Sequence, residues 1–319
     1  HYVDTNGSTT QTPCDAGTWN NLTGQSSCID ASPGYYVDTN GSTTQTPCDA
    51  GTYNPSNGSN SSADCGDVPA GSFSGPGASA PTPCSIGTWQ DQAGQSSCMD
   101  ASVGHYVDTN GSTTQTPCGL GTWNNMTGQS SCTPASPGHY VDTNGSTTQT
   151  PCDAGTYNPN SSSNSSSDCG DVPAGSFSGP GASSPSQCSP GTWQNETGQS
   201  SCIDANPGHY ASGYGNTNET QCALGTWTDQ SGQSSCTPAS PGYYVDTNGS
   251  TTQTPCGLGT YNPNSGSSDP TDCVQASPGY YVDQEGQSGQ TPCSAGSYNN
   301  ITGSTTTSDC IDAQPGYYI

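Results

Sequence analysis

Eighteen cysteines carry the most evident chemistry in this 319-residue chain, and they fall at regular intervals. Steps of 14 or 17 residues alternate with steps of 19 or 20. The short steps run Cys14 to Cys28, Cys48 to Cys65, Cys84 to Cys98, Cys118 to Cys132, Cys152 to Cys169, Cys188 to Cys202, Cys222 to Cys236, Cys256 to Cys273 and Cys293 to Cys310. An even count at such spacing points to a disulfide framework rather than thiol chemistry. Pairing across the short steps uses every cysteine, whereas pairing across the long ones would strand Cys14 and Cys310. Spacing therefore favours the short connectivity without excluding the other. Each closed loop of this length is worth roughly 3 kcal/mol in the chain-entropy model.

The second reactive set is asparagine. Asn-x-Ser/Thr occurs at Asn6, Asn21, Asn40, Asn57, Asn60, Asn110, Asn125, Asn144, Asn160, Asn164, Asn195, Asn218, Asn248 and Asn300. In a secreted chain each is an acceptor for an N-glycan on an exposed turn. Turn geometry alone also asks for asparagine. Asp91 and Asp229 stand where Asn21, Asn125 and Asn195 stand elsewhere, keeping the turn and losing the acceptor. The expected reading is covalent glycan on many of these sites, with O-glycosylation of the Ser/Thr/Pro-rich stretches beside it.

No set of residues reads as catalytic, and the chain is read as no enzyme. The four histidines (His1, His105, His139, His209) share one repeat position before Tyr, where Tyr35 and Tyr243 also stand, so they read as packing or surface aromatics. No nucleophile elbow with Asp and His partners is evident, and no lysine exists to complete a phosphate loop. Asp-Thr-Asn-Gly-Ser offers oxygens at alternate positions, as part of a calcium loop does. The distal bidentate Glu is missing and Gly comes too early. A plain turn is the main reading there and Ca2+ the minor one; no other cofactor or metal is expected.

The elements that would position these residues are small. Leu, Ile, Val and Phe make up 22 of 319 residues and the formal net charge is -25, values that alone predict disorder. The cysteine spacing overrides that prior, because stapled modules fold without a sizeable core. Val-Asp-Thr-Asn-Gly-Ser-Thr-Thr-Gln-Thr-Pro-Cys recurs unchanged, ending at Cys14, Cys48, Cys118, Cys152 and Cys256. A finer frame of about 17 residues underlies the period: Cys or a small residue, two variable positions, Gly, one residue, an aromatic. Cys14-Asp-Ala-Gly-Thr-Trp19, Ala31-Ser-Pro-Gly-Tyr-Tyr36 and Val68-Pro-Ala-Gly-Ser-Phe73 all fit it. Each half-unit is expected to be a β-hairpin: in one half Tyr-Val-Asp, an Asn-Gly type I′ turn and Thr-Thr-Gln-Thr as the return strand, in the other Gly-Thr-Trp-Asn, an Asn/Asp-x-x-Gly turn and Gln-Ser-Ser-Cys. With 43 Gly and 26 Pro, no helix is expected. All five Trp (Trp19, Trp89, Trp123, Trp193, Trp227) fall in 14-step loops, and Tyr53, Tyr157, Tyr261 and Tyr298 in 17-step loops. An aromatic ladder covering disulfides or Pro rings is expected to replace the core.

The expected fold is all-β: small disulfide-stapled hairpin repeats stacked into an elongated, solenoid-like rod with no large hydrophobic core. Residues 1–319 read as one array, with modules at 14–47, 48–83, 84–117, 118–151, 152–187, 188–221, 222–255, 256–292 and 293–319. Super-repeats run 1–104, 105–208 and 209–319. Both ends fall at one phase of the repeat, so the sequence reads as a window from a longer protein. The compartment expected from the cysteines is oxidising: extracellular or cell-surface, secreted.

Cys-x-x-Gly-Thr-Tyr/Trp, a second Cys, then x-x-small-x-Pro-Gly-Tyr-Tyr resembles the tandem cysteine-rich repeats of the ephrin-receptor-like and TNF-receptor-like kind. The resemblance runs over essentially the whole chain. In that family the cysteines flanking Gly-x-Tyr pair with each other, which carries the short-step connectivity over to this chain. Both halves of that family's repeat commonly hold a disulfide. Here Ala31, Ala101, Ala135, Ala205 and Ala239, or Val68 and Val172, stand where that second staple would begin, and Gln45, Gln115 and Gln149 where it would return.

Lys and Arg are absent, which excludes nucleic-acid binding and attraction to anionic membranes. No stretch is apolar enough for direct membrane insertion. The expected role is a structural subunit of an extracellular glycosylated filament, sheath or surface hair, with partners in its own copies, other matrix proteins and glycans. The alternative is a ligand-binding or adhesion ectodomain, its specific site in the irregular stretch 209–220, or a passive stalk spacing another domain.

Overall fold

The computed structural model describes residues 1–318. Its chain is all-β, and every sheet has two short antiparallel strands. Thr18–Trp19 pairs with Ile29–Asp30, and Tyr35–Tyr36 with Thr46–Pro47. The frame repeats through Tyr298, opposite Ile311. The aromatic-bearing strand always comes first, and the chain returns just before the next Cys or small residue.

The chain divides into two compact units. One comprises His1–Pro151 with Asn160–Asp168; the other comprises Cys152–Pro159 with Cys169–Ile319. Within the first, Gly17 N–H donates to the Val37 carbonyl (2.8 Å), Asn20 N–H to Ser42 (3.1 Å), and Gly41 N–H to Cys14 (2.7 Å). Those three backbone bonds join one half-unit to the next. The second unit repeats them: Gly155 to Ser178, Asn158 to Ala182 and Gly181 to Cys152, at 2.9, 3.0 and 2.8 Å. Two-residue strands are too short to persist alone. Handing their remaining amides to the following half-unit satisfies the backbone.

This handover corrects the expected tight turn. Asn-Gly does not close a type I′ loop, which needs positive φ at both central residues. Gly41 has φ 72°, but the single non-glycine with positive φ among the described residues is Ser162 (φ 60°). The physical reason lies in Val37: its N–H bonds the Ser59 carbonyl of the following half-unit instead of continuing the hairpin. A wide loop results, spanning 37–45 between the strands.

Glycine at the frame position is required for another reason. Gly34 has φ 88°, and a Cβ built on it would stand 2.1 Å from the Gly77 carbonyl oxygen, two half-units further on. The turn backbone thus rests directly on that Cα.

The buried positions are small. Cys14, Ala31, Cys48, Val68 and Cys84 are fully buried, and Val37 and Val107 nearly so; Cys188, Ala205, Val245 and Ala276 do the same in the second unit. Most strand aromatics are half-buried, so they flank the interior rather than fill it. Tyr35 stands opposite Pro47 and His105 opposite Pro117 in strand register.

The 17-step loops differ from the 14-step ones by three residues, which is one turn of 3₁₀-helix. Such turns cover Ser62–Asp64, Ser166–Asp168, Pro270–Asp272 and Thr307–Asp309. Sequence periodicity gave no hint of them. Ser61 and Asp64 form a reciprocal capping box: Ser61 Oγ accepts from Ala63 N–H, and Asp64 from Ser61 N–H. Ser-x-x-Asp, written four residues before each of these second cysteines or in a close variant, was the signal available. At Asp269, the Thr271 hydroxyl and then its N–H hold the carboxyl below its ordinary value.

Candidate functional site

The structure joins Cys14 to Cys28, Cys48 to Cys65 and Cys84 to Cys98, with Cα atoms 5.8, 5.7 and 5.8 Å apart. Cys118–Cys132, Cys152–Cys169 and Cys188–Cys202 follow, then Cys222–Cys236, Cys256–Cys273 and Cys293–Cys310. Among the described residues no cysteine is free. In most loops the first sulfur is fully buried and the second half-buried, so the bridge runs from interior to surface.

Most half-units without a bridge close by another route. Gln45 stands at the return position, and its side-chain oxygen accepts Ser32 N–H at 2.8 Å. Gln115 accepts from Ser102 (2.6 Å), Gln149 from Ser136 (2.8 Å), Gln253 from Ser240 (2.7 Å) and Gln290 from Ser277 (2.6 Å). One hydrogen bond to the backbone thus ties the two ends where the family resemblance puts sulfur. Sequence reasoning saw a lost staple there and missed its replacement.

At 219 the residue is Glu, and its carboxylate takes both Asn206 N–H (2.7 Å) and Asn206 Nδ2 (2.9 Å). Partial burial raises its carboxyl, but those two bonds, aided by His209, outweigh that and hold it below the ordinary value.

A buried polar row runs beside the disulfides. Asn20 Nδ2 donates to the Ser27 carbonyl (2.9 Å), while its Oδ1 accepts Leu22 N–H (2.9 Å). Asn54 Nδ2 donates to Ser59 Oγ (2.7 Å) and Asn262 Nδ2 to Ser267 Oγ (2.7 Å). These amides supply partners that two-residue strands cannot, and buried polar groups need them. Most tryptophans depart from this economy. Each indole Nε1 is buried; those of Trp19, Trp89, Trp123 and Trp227 have no acceptor among the described residues, while that of Trp193 lies beside the Glu219 carboxylate. Each unpaired one costs about 1–3 kcal/mol, which burial of the apolar ring face offsets.

All fourteen sequon asparagines, from Asn6 to Asn300, lie in the exposed class. Asn40 and Asn110 have Oδ1 committed to Ala16 and Ile86 N–H (2.8 and 3.0 Å), which leaves Nδ2, the atom that carries a glycan, outside that bond. In Asp38-Thr-Asn-Gly-Ser42, Thr39 Oγ1 bonds Ser42 Oγ, and Asn40 Oδ1 holds Ala16 N–H of the preceding half-unit. No group of three His, Cys, Asp or Glu converges as for a metal among the described residues. His105, His139 and His209 place Nδ1 3.2–3.3 Å from the carbonyls of Val103, Pro137 and Pro207. In the irregular 209–220 stretch, Tyr214 is 72% exposed.

Repeated two-stranded hairpins, with nine loops closed by disulfides and most of the others by a glutamine or Glu219, define a cysteine-rich tandem-repeat array. Residues 71–118 match the family described as tyrosine-protein kinase ephrin type A/B receptor-like. The matched span holds the Phe73 half-unit, the Cys84–Cys98 loop and the following half-unit up to Cys118, and the same frame recurs before and after it. Over that span the chain is thus similar to ephrin-receptor-like cysteine-rich modules, and the hairpins on either side repeat the matched frame. No curated protein matches the chain. No helix among the described residues is long and apolar enough to cross a membrane.

Proposed function

We propose that this chain is a non-enzymatic structural subunit of an extracellular glycosylated filament, sheath or surface hair. One observation carries the reading: successive half-units meet through the same three backbone hydrogen bonds, whatever side chains they bear. A surface built from such repetition offers the same contacts at regular intervals, which is what open assembly requires. The exposure of every sequon asparagine supports a glycan coat. Such a coat shields the unpaired edges of two-stranded sheets from non-specific pairing.

Electron microscopy of the protein secreted from eukaryotic cells tests assembly. Filaments with an axial repeat are expected; a monomer at all concentrations in sedimentation would defeat the reading. Intact mass before and after enzymatic deglycosylation tests the coat, and an unchanged mass would remove it. Exposed Tyr214 favours the second reading, a binding ectodomain with its anchor in 209–220. That reading expects one Tyr214→Ala change to abolish ligand capture while assembly is untouched.

A further inference from the structure

Two surface clefts in the first unit share four repeat-equivalent residues, 104 positions apart, and each adds a carboxylate from a different repeat position. One, of about 450 Å³, is lined by Tyr106, Asp108, Leu120, Thr122, Ser131 and Cys132 among others. The other, of about 280 Å³, is lined by Tyr2, Asp15, Thr18, Ser27 and Cys28. Tyr2, Thr18, Ser27 and Cys28 are the repeat equivalents of Tyr106, Thr122, Ser131 and Cys132. In each, a half-buried tyrosine of one half-unit faces the disulfide loop of the next, with one carboxylate at the edge. That carboxylate is Asp108 in the first and Asp15 in the second. The Tyr-Val-Asp segment explains the first arrangement. Val107 is buried at 3% exposure, so Tyr106 and Asp108 on either side of it both face out.

We propose that these clefts receive lysine or arginine side chains of a basic polypeptide partner. An aromatic face beside a carboxylate attracts an ammonium or guanidinium twice, through the ring quadrupole and through charge. Hydroxyls at the rim accept the remaining N–H groups. The chain's whole charge favours the same ligand: 25 acidic residues stand against no Lys or Arg, which repels anions and draws cations. A second copy of the chain supplies neither lysine nor arginine, so it is not this partner. The inference goes beyond the scaffold reading and does not depend on filament formation.

Zero-length carbodiimide coupling of a tetralysine peptide to the intact protein tests it with site resolution. The protein has no lysine of its own, so each carboxyl-to-lysine amide found by mass spectrometry reports where the peptide sat. Coupling at Asp15 and Asp108 is expected to exceed coupling at the exposed Asp30 and Asp100 by about fivefold, and to fall with added salt. Tyr2→Leu with Tyr106→Leu leaves the net charge intact and should bring Asp15 and Asp108 down to the level of Asp30 and Asp100. Circular dichroism and intact disulfides show whether that variant is folded. Asp15→Ala with Asp108→Ala, at exposed positions, gives a second route: peptide affinity should fall more than in Asp30→Ala with Asp100→Ala. Even coupling over all four aspartates, or equal affinities of the two double variants, overturns the proposal. So does binding of a neutral β-glucan at the clefts with no peptide binding there.

Discussion

The two halves of each period reach the same backbone shape with bonds of different strength. In one, Cys118 and Cys132 close the loop covalently; in the next, Gln149 accepts Ser136 N–H at 2.8 Å. The lesson is that the frame belongs to the backbone: glycine at the crossing, three bonds to the following half-unit, a small buried side chain. The closing device is interchangeable as chemistry and unequal as energy. A disulfide over such a loop is worth roughly 3 kcal/mol through the unfolded chain, a glutamine bond about 1 kcal/mol.

That inequality can be broken at its shared element first. Gly34→Ala places a Cβ against the Gly77 carbonyl at a positive φ, and should destabilise the surrounding half-units by more than about 3 kcal/mol. Urea denaturation measures this; a loss under 1 kcal/mol would show that the crossing is not close-packed. Next, Cys118→Ala with Cys132→Ala should cost about 3 kcal/mol. If it costs no more than Gln149→Leu, the contrast drawn between the two closures is wrong.

The comparison sharpens when one closure is exchanged for the other. Ala31→Cys with Gln45→Cys restores the staple at equivalent positions and should gain about 2 kcal/mol after loss of the glutamine bond. Failure of the two thiols to oxidise would refute the equivalence of the frames. Ser162→Gly tests the turn where the second super-repeat departs from Gly58 of the first. Relief of φ 60° at a side-chain-bearing residue should gain about 0.5–1 kcal/mol.

The smallest effect is at Glu219. Its folded carboxyl lies below the ordinary value of 4.5, so its contribution is present above that value and is lost as pH falls through the depressed one. Glu219→Gln should flatten the acid limb of the melting-temperature profile slightly; superimposable profiles would remove the point.

Much of the molecule was written in the sequence because its signals are local. Cysteine steps, the Gly-x-aromatic frame and the absence of helical periodicity mark a stapled all-β array. What escaped is long-range or carried by main chain. Nothing in Val37 announces that its N–H bonds Ser59, since a backbone amide has no sequence signature. Gln45 looked like a missing cysteine because its role is visible only beside Ser32. The 3₁₀ turns hid in segments too short for periodicity, although Ser61 and Asp64 spell a capping box. The clefts escaped because each needs residues from two half-units.

Because each junction is made by main-chain groups, a bead does not recognise which bead follows it. Genes that encode near-identical tandem copies gain and lose whole copies by unequal crossing-over or replication slippage. Most proteins would be ruined by such an event. Here a whole-period duplication or deletion sets familiar amides against familiar carbonyls, so the array's length can drift between lineages while every seam stays as it was.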